Sequence, residues 1–419
     1  MDLVDPLKAW EKLGQFIHPL GSHRVSSDKA LGRVLAEEIV CPGEIPAEDR
    51  ALRDGYAIAT PGDKELLFQV LGESAAGLPW NRELTQGGAV RIRTGAVVPK
   101  GTFGIVPMEE VQESSDKSWI RLKKGLPAKG SHILPQGHLF RAGSRLLRPG
   151  QRLGPGELSL LASVGVEKVR VKRRPRVVIL PTGSELEVPG AGLGSGKSFV
   201  SHGRYLAWRT AEEGGLGKVW TPIADLEEEI WMAIDKVLGR AHLIVTTGGT
   251  GPSDRDLVCR SLLSNGAQVI FRHLPVRPGG TISAFLVRST PVLALPGGAG
   301  GVGLGCELLL IPAIRAMQGE DEPGPRWVKC RPAVEIQKDP LCHRFVEARL
   351  HVQEGLLIAE PIPRNLQGGG LIPLRGDGWI HVPPGEGIVP KGALAFMLLG
   401  KCLRRARHGS GESLESLES

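Results

Sequence analysis

Three glycine-bearing turns and four carboxylates are the residues of this chain whose types and spacing can do chemistry. The turns are Pro181-Thr182-Gly183, Thr246-Thr247-Gly248-Gly249-Thr250-Gly251 and Leu295-Pro296-Gly297, and each closes an apolar run of strand character. The middle turn is the sharpest. Its glycines leave backbone N–H groups open with no Cβ in the way, and Ser253 or Asp254 can cap the helix that follows. That is the layout of a phosphate cradle at a helix N-terminus. Glu185 follows the first turn, Asp225 a neighbouring strand, and Asp254 and Asp256 the second turn. Carboxylates beside a phosphate cradle suit a divalent cation held between them. Turn glycines and capping aspartates account for any one of these features alone. Three turns and four carboxylates on one sheet edge point to a ligand.

Other chemistries find less support. The stretch from Ala191 to Gly196-Lys197-Ser198 fits a loose P-loop pattern. A working P-loop joins a strand directly to a helix, and here the strand ends ten residues earlier, near Pro181. There is no G-x-S-x-G nucleophile elbow, and the 11 histidines are dispersed.

The elements that must position these residues fall into blocks. Leu7, Trp10, Leu13 and Ile17 recur at three- and four-residue spacing, and a second apolar stretch covers 31–39, so residues 5–40 read as helical. Short β-rich runs at 56–59, 66–71, 89–93, 104–108 and 119–122 alternate with Gly and Pro turns, an all-β unit inserted between two flanking pieces. A helix is expected at 156–164, after Pro155 and ending at Gly165. From Pro175, apolar strands (176–180, 218–223, 242–247, 269–274, 283–287 and 291–295) alternate with helices, which predicts a mainly parallel sheet covered on both faces. Pro323 to Pro325 marks a linker to a small, β-barrel-like C-terminal domain, and the Gly/Ser/Glu-rich end reads as a disordered tail. The expected division is 1–40 with 130–172, an elongated helical linker; 41–129, the β-rich insertion; 173–322, the α/β domain; 323–405, the C-terminal β domain; and 406–419, the tail.

Composition agrees with a folded chain of several domains. Of 419 residues, 41% are hydrophobic and 23% charged, which excludes a largely disordered protein. The 57 Gly and 32 Pro show no G-X-Y period, so they mark turns and not collagen. A net charge of +7 and only 5% aromatics argue against a nucleic-acid partner. Part of that charge is one cluster, Lys168, Arg170, Lys172, Arg173, Arg174 and Arg176, which reads as a solvated stretch. The six cysteines form no C-x-x-C pair, and no apolar run approaches the ~18 residues that span a bilayer. Asp2 and Asp5 stand where a secretory signal carries positive charge. No membrane association and a cytoplasmic location are the expectation.

The motifs taken together resemble the molybdopterin molybdenumtransferases, the MoeA/gephyrin E-domain family. The matching stretches are Asp54-Gly55-Tyr56-Ala57 after Pro46, Arg91-Ile92-Arg93-Thr94-Gly95-Ala96 with Pro99 and Gly101, and Pro181-Thr182-Gly183-Ser184-Glu185-Leu186. They continue with Thr246 to Asp256, Arg277-Pro278-Gly279 and Leu295-Pro296-Gly297. The resemblance implies a homodimer that takes molybdate (or tungstate) and adenylylated molybdopterin with Mg²⁺, releases AMP and leaves the metal on the pterin dithiolene. It implies that the α/β domain binds molybdopterin, facing the Asp-Gly-Tyr loop of the second subunit. Carried over by position, Asp54, Glu185, Asp225 and Asp256 are the catalytic acidic residues, with Glu185, Asp225 and Asp256 at the metal. Thr182, Gly183, Thr247, Gly248, Gly249, Thr250, Gly251, Ser253, Arg277, Pro296 and Gly297 line the pterin and phosphate site. The implied partners are a molybdopterin adenylyltransferase upstream and acceptor molybdoenzymes or their chaperones downstream.

The pattern also departs from the family. Ala51-Leu52-Arg53 replaces Ser-Ala-Met, Gly280 replaces a lysine, Gly298-Ala299 replaces Asn-Pro, and Leu139 stands where an acid is expected. Asp-Ser-Asn is replaced near Val200-Ser201-His202, and Gly248-Gly249-Thr250-Gly251-Pro252-Ser253 is closer to the related adenylyltransferases. Two alternatives therefore stand beside the transferase: a non-catalytic pterin- or nucleotide-binding carrier or assembly factor, and an adenylyltransferase-like enzyme.

Overall fold

The computed structural model describes residues 4–61, 66–190, 192–251, 256–362 and 376–400. Ser253, Asp254 and the expected tail 406–419 lie outside the described residues.

Six strands form the sheet that carries the candidate site: β1 (Arg176–Pro181), β2 (Leu216–Val219), β3 (Leu243–Thr247), β4 (Gln268–Phe271), β5 (Ser283–Val287) and β6 (Thr290–Leu295), in the order β2-β1-β3-β6-β5-β4. β1 pairs parallel with β2 and β3, and β3 with β6. β5 runs antiparallel to both β6 and β4. Five strands thus share one direction, and their carboxyl ends share one edge. The apolar runs are continuous because both faces are covered. Val177, Ile179, Leu243, Val245, Leu293 and Leu295 enter one core, while Val178, Leu180, Ile244, Val292 and Ala294 enter the other. Helices α1 (His202–Glu212) and α4 (Ala299–Met317) close the first face, and α2 (Glu227–Val237) and α3 (Leu257–Ser264) the second.

Among the described residues α4 is the one helix long and apolar enough to cross a membrane, and 89% of it is buried inside this fold. It carries a π-helical turn at Cys306–Leu310 just before Pro312. Proline has no N–H to give to the preceding turn, and the widened turn takes up the break.

The insertion is a six-stranded sheet in the order Gly104–Pro107, Gly55–Ile58, Gly88–Ile92, Leu67–Ser74, Trp119–Leu122, Val111–Glu113. The C-terminal unit is a closed barrel of five strands, because His343–Gln353 pairs with both Leu356–Pro361 and Gly378–Val382. Trp327–Pro332 and Ala395–Leu399 complete the ring.

The linker differs from expectation. Residues 5–40 are not two helices. Helix is confined to Pro6–Lys8 and Ala9–Gly14, with a 3-10 turn at Ser27–Lys29, and Ser22–Ser26 is a strand paired with Lys168–Lys172. In the second stretch, Val34 bridges to Arg152 and Leu35 to Val171, and Gly32 takes a positive φ of 72°. The apolar spacing there suits a helix, but partners more than a hundred residues away capture the backbone donors and bury Val34 and Leu35. Tertiary pairing overrides local pattern. The expected helix at 156–164 forms as Pro155–Ser163.

On the outer face of the barrel, beside Trp327 and Phe345, His343 Nδ1 and His381 Nε2 lie 2.8 Å apart with the rings stacked. Burial first and then the His343 charge push His381 down to about 4. An unfolded histidine takes its proton near pH 6.5. Between those values the unfolded chain binds more protons, so stability present above pH 6.5 is lost as the pH falls towards 4. Thermal melts from pH 7 to 4.5 should show about 1–3 kcal/mol of this loss. His381→Gln should flatten the slope; an identical slope in the variant would remove the pair as its source.

Candidate active site

The three turns meet at the carboxyl edge of the sheet. Thr182 N–H donates to Thr247 O at 2.8 Å, and Gly248 N–H to Leu295 O at 3.1 Å, so β1, β3 and β6 are tied together just where they end. Gly248 has φ 92°, and a Cβ there would lie 2.2 Å from Thr182 O. Only glycine allows that approach. Gly249 follows at φ 63°, and its carbonyl accepts from Val258 N–H at 3.1 Å, docking the turn on α3. Gly297 packs against Gly248, and Pro296 sits against Gly301 at the start of α4. Thr250 Oγ1 meets Thr281 Oγ1 at 3.1 Å. Thr182, Gly183, Thr247 to Gly251, Pro296 and Gly297 are therefore brought to one edge, as their spacing predicts.

The carboxylates divide. Ser184 N–H donates to Asp225 Oδ2 at 3.0 Å, and Asp225 N–H donates back to Ser184 Oγ at 3.1 Å. Glu185, exposed, folds its carboxylate over Gly183. Asp225 and Glu185 thus share a rim, each with oxygen left free of hydrogen bonds among the described residues. Asp256 is buried and committed elsewhere. Its Oδ1 caps α3 by accepting Cys259 N–H at 3.2 Å, and its Oδ2 takes Arg272 Nη2 at 3.1 Å with His273 Nε2 3.5 Å away. Among the described residues no three His, Cys, Asp or Glu side chains converge on a metal position. The expected three-carboxylate metal set is thus two carboxylates on the rim and a third facing a guanidinium.

Asp54 stands at the entry to strand Gly55–Ile58. A Cβ on Gly55 would lie 2.0 Å from Val106 O, so glycine is required for the strands to close and present the aspartate. The Thr94 N–H and hydroxyl both donate to Asp54 Oδ1 at 2.7 Å. Those bonds first, then Arg93 and Arg91, hold its carboxyl below the usual range. The hydrogen bonds and ion pair of its side chain stay within the insertion, so within one chain Asp54 makes none to the α/β edge. Arg277 also stands apart. Its strand Val276–Arg277 pairs with His343–Arg344 of the barrel, and its guanidinium reaches Asp339 at 3.3 Å.

Arg272 and His273 are site residues that motif reading missed. They leave β4 at the same edge, with His273 at φ 57°. Their signal was positional, an arginine and a histidine directly after a strand, and nothing in the sequence pairs them with Asp256. Residues 192–197 of the P-loop-like stretch are a loop, with Lys197 Nζ bound to Ser184 O at 2.8 Å, and Ser198 begins a short strand paired with Leu186–Glu187. Burial, then Asp256, pushes the Cys259 thiol up to about 12, which leaves no thiolate nucleophile there.

Comparison with known proteins fits this geometry. Residues 6–165 match a family described as MoeA N-terminal region (domain I and II), and 178–316 one described as probable molybdopterin binding domain. The chain is similar to a molybdopterin molybdenumtransferase of Bacillus subtilis, 30% identical over 346 residues, covering 81% of this chain and 80% of the relative. A molybdopterin molybdenumtransferase of Staphylococcus epidermidis is 29% identical over 371 residues, covering 86% and 87%. The crystal structure of a molybdopterin biosynthesis MoeA protein from Pyrococcus horikosii superposes with a TM-score of 0.81 at 26% identity, over 96% of this chain and all of that one. With one relative at that identity and coverage and both family descriptions matched in order, the chain belongs to the molybdopterin molybdenumtransferase family.

Proposed function

We propose that this protein inserts molybdenum, taken as molybdate or tungstate, into adenylylated molybdopterin with release of AMP, in the biosynthesis of the molybdenum cofactor. The observation that carries this is the meeting of three strand-end turns beside the Glu185–Asp225 rim, where the N–H groups of 249–251 have no partner among the described residues. Backbone N–H groups of 249–251 would bind the phosphates and orient the bond that breaks. Thr182, Gly183, Pro296 and Gly297 form the wall against which the pterin side lies.

Glu185 and Asp225 fit Mg²⁺, which takes one or two carboxylates plus substrate phosphates and water. When bound, the ion would offset phosphate charge as AMP leaves. Asp256 does not fit as its ligand, since a cation there would face Arg272. Its role is to hold α3 and the β4 end, and hence the cradle, in place. Arg277, released from Asp339, would suit an oxyanion. A second copy of the chain would bring its Asp54 loop to this edge, which makes the working form a homodimer. A molybdopterin adenylyltransferase would supply the substrate and acceptor molybdoenzymes would take the product, in the cytoplasm.

The test is AMP release from adenylylated molybdopterin with Mg²⁺ and molybdate. Molybdate-dependent release is expected; retention of the substrate without release would instead mean a carrier. Asp54→Asn should lower release about 100-fold with the melting temperature unchanged, because that side chain is exposed and bonded only locally. Asp256→Asn should lower release about as much and also cost about 1–2 kcal/mol, because Arg272 loses its partner. Unaltered turnover in either variant would refute that residue's role.

A further inference from the structure

Half of the basic cluster lines a cavity. Lys168 to Lys172 is an edge strand with Val169 and Val171 buried. Beyond it the chain crosses into the α/β domain, and there Arg173, Arg174 and Arg176 line a cavity of 780 Å³ with Arg33, His23 and His242. Arg176 begins β1, and His242 directly precedes β3. The cavity therefore lies at the amino edge of the sheet, the opposite edge from the cradle.

No carboxylate lines it, and none of the four arginines has an ion pair among the described residues. Backbone carbonyls fix the positions of three of them instead. Arg33 Nη2 donates to Lys172 O at 2.6 Å, Arg174 to Gly214 O and Gly215 O at 2.8 Å each, and Arg176 Nε to Arg240 O at 2.6 Å. Carbonyls orient a guanidinium without neutralising it. Arg33 Nε is buried with no hydrogen-bond partner. Burial, then Arg174, holds Arg33 below its ordinary range; burial, then Arg33 and Arg173, lowers His23. Like charges are thus held together in a half-buried hollow with no compensation from the protein, and an anion supplies what is missing.

Planar guanidinium forks match phosphate oxygens two at a time. The volume lies within the roughly 300–1,000 Å³ of small-molecule sites. Leu20 and Leu216 add apolar wall for an organic body.

We propose that this cavity is a second ligand site, for a small organic molecule bearing a diphosphate or two phosphates. Because Arg33 and Arg173 come from the linker side and Arg176 and His242 from the sheet, its ligand pins the two domains together. The probe is inorganic pyrophosphate, titrated calorimetrically into the full-length protein in phosphate- and sulfate-free buffer. One saturable site is expected, at least tenfold tighter than for inorganic phosphate and at least tenfold weaker in Arg33→Gln/Arg173→Gln, with AMP release by that variant unaltered. Arg173→Gln alone, an exposed side chain without a hydrogen bond among the described residues, should weaken binding threefold or more, which guards against misfolding of the double variant. No saturable binding, or pyrophosphate affinity unchanged in both variants, would overturn the proposal.

Discussion

Gly248→Val is expected to reduce AMP release by at least 100-fold. The valine Cβ would be built 2.2 Å from Thr182 O, at a φ of 92° that L side chains rarely adopt. Neither can relax alone, because Gly248 N–H is held by Leu295 O and Thr182 N–H by Thr247 O. The turn must therefore move away from both neighbouring strand ends and take its N–H groups with it. A displacement of about 1 Å in a group that positions substrate costs about 100-fold in rate. The backbone strain adds about 1–3 kcal/mol of instability. Single-turnover AMP release with a parallel thermal melt separates the two effects. Wild-type turnover in a folded variant would mean that the turn does not hold the phosphates.

Arg209→Met carries the largest expected stability loss. Arg209 on α1 gives Nε and Nη2 to the two oxygens of Glu307 on α4, at 2.8 and 2.9 Å, and Glu307 is only 4% exposed. Glu213 sits beside the pair and is held by Arg315 through two bonds of 3.1 Å. Removing Arg209 leaves a buried carboxylate next to a second one. Breaking such a pair costs about 3–5 kcal/mol. For a domain of this size that lowers the melting temperature on the order of 10 °C.

Burial already pushes Glu307 up to about 7, against Arg209. Without the arginine its folded value rises further above the unfolded one. The variant should therefore be relatively more stable at pH 5.5 than at pH 8. Arg209→Met/Glu307→Met should recover most of the loss, since a packed apolar pair is often as stable as the ions. Melting curves of wild type, both single variants and the double variant give the coupling energy. A single variant within about 0.5 kcal/mol of wild type would show that the pair is not what joins the helices.

Period and punctuation made the α/β domain legible. Continuous apolar strands such as Val177 to Leu180 and Leu243 to Val245 mean burial on both faces, and Gly or Pro at their ends marks the edge where ligands bind. The turns at Gly183 and Gly248-Gly249 were found this way because glycine best meets their positive-φ backbone. The insertion and the barrel were legible as β structure for the same local reason.

Local pattern could not reveal partners distant in sequence. The stretch 31–39 reads as helix until Arg152 and Val171 pair with it. Asp256 and Arg277 sit in the matching motifs, yet one is caught by Arg272 and the other by Asp339. Arg33 joins Arg173 and Arg176 only because the linker folds back on the sheet. By itself the sequence determined the element types outside the linker, the strand-end turns and the family, since these rest on backbone conformation and residue spacing. Tertiary structure alone decided which charges are neutralised and which stay open. That depends on which side chains share a few ångströms of low-dielectric space, and no spacing along the chain encodes it.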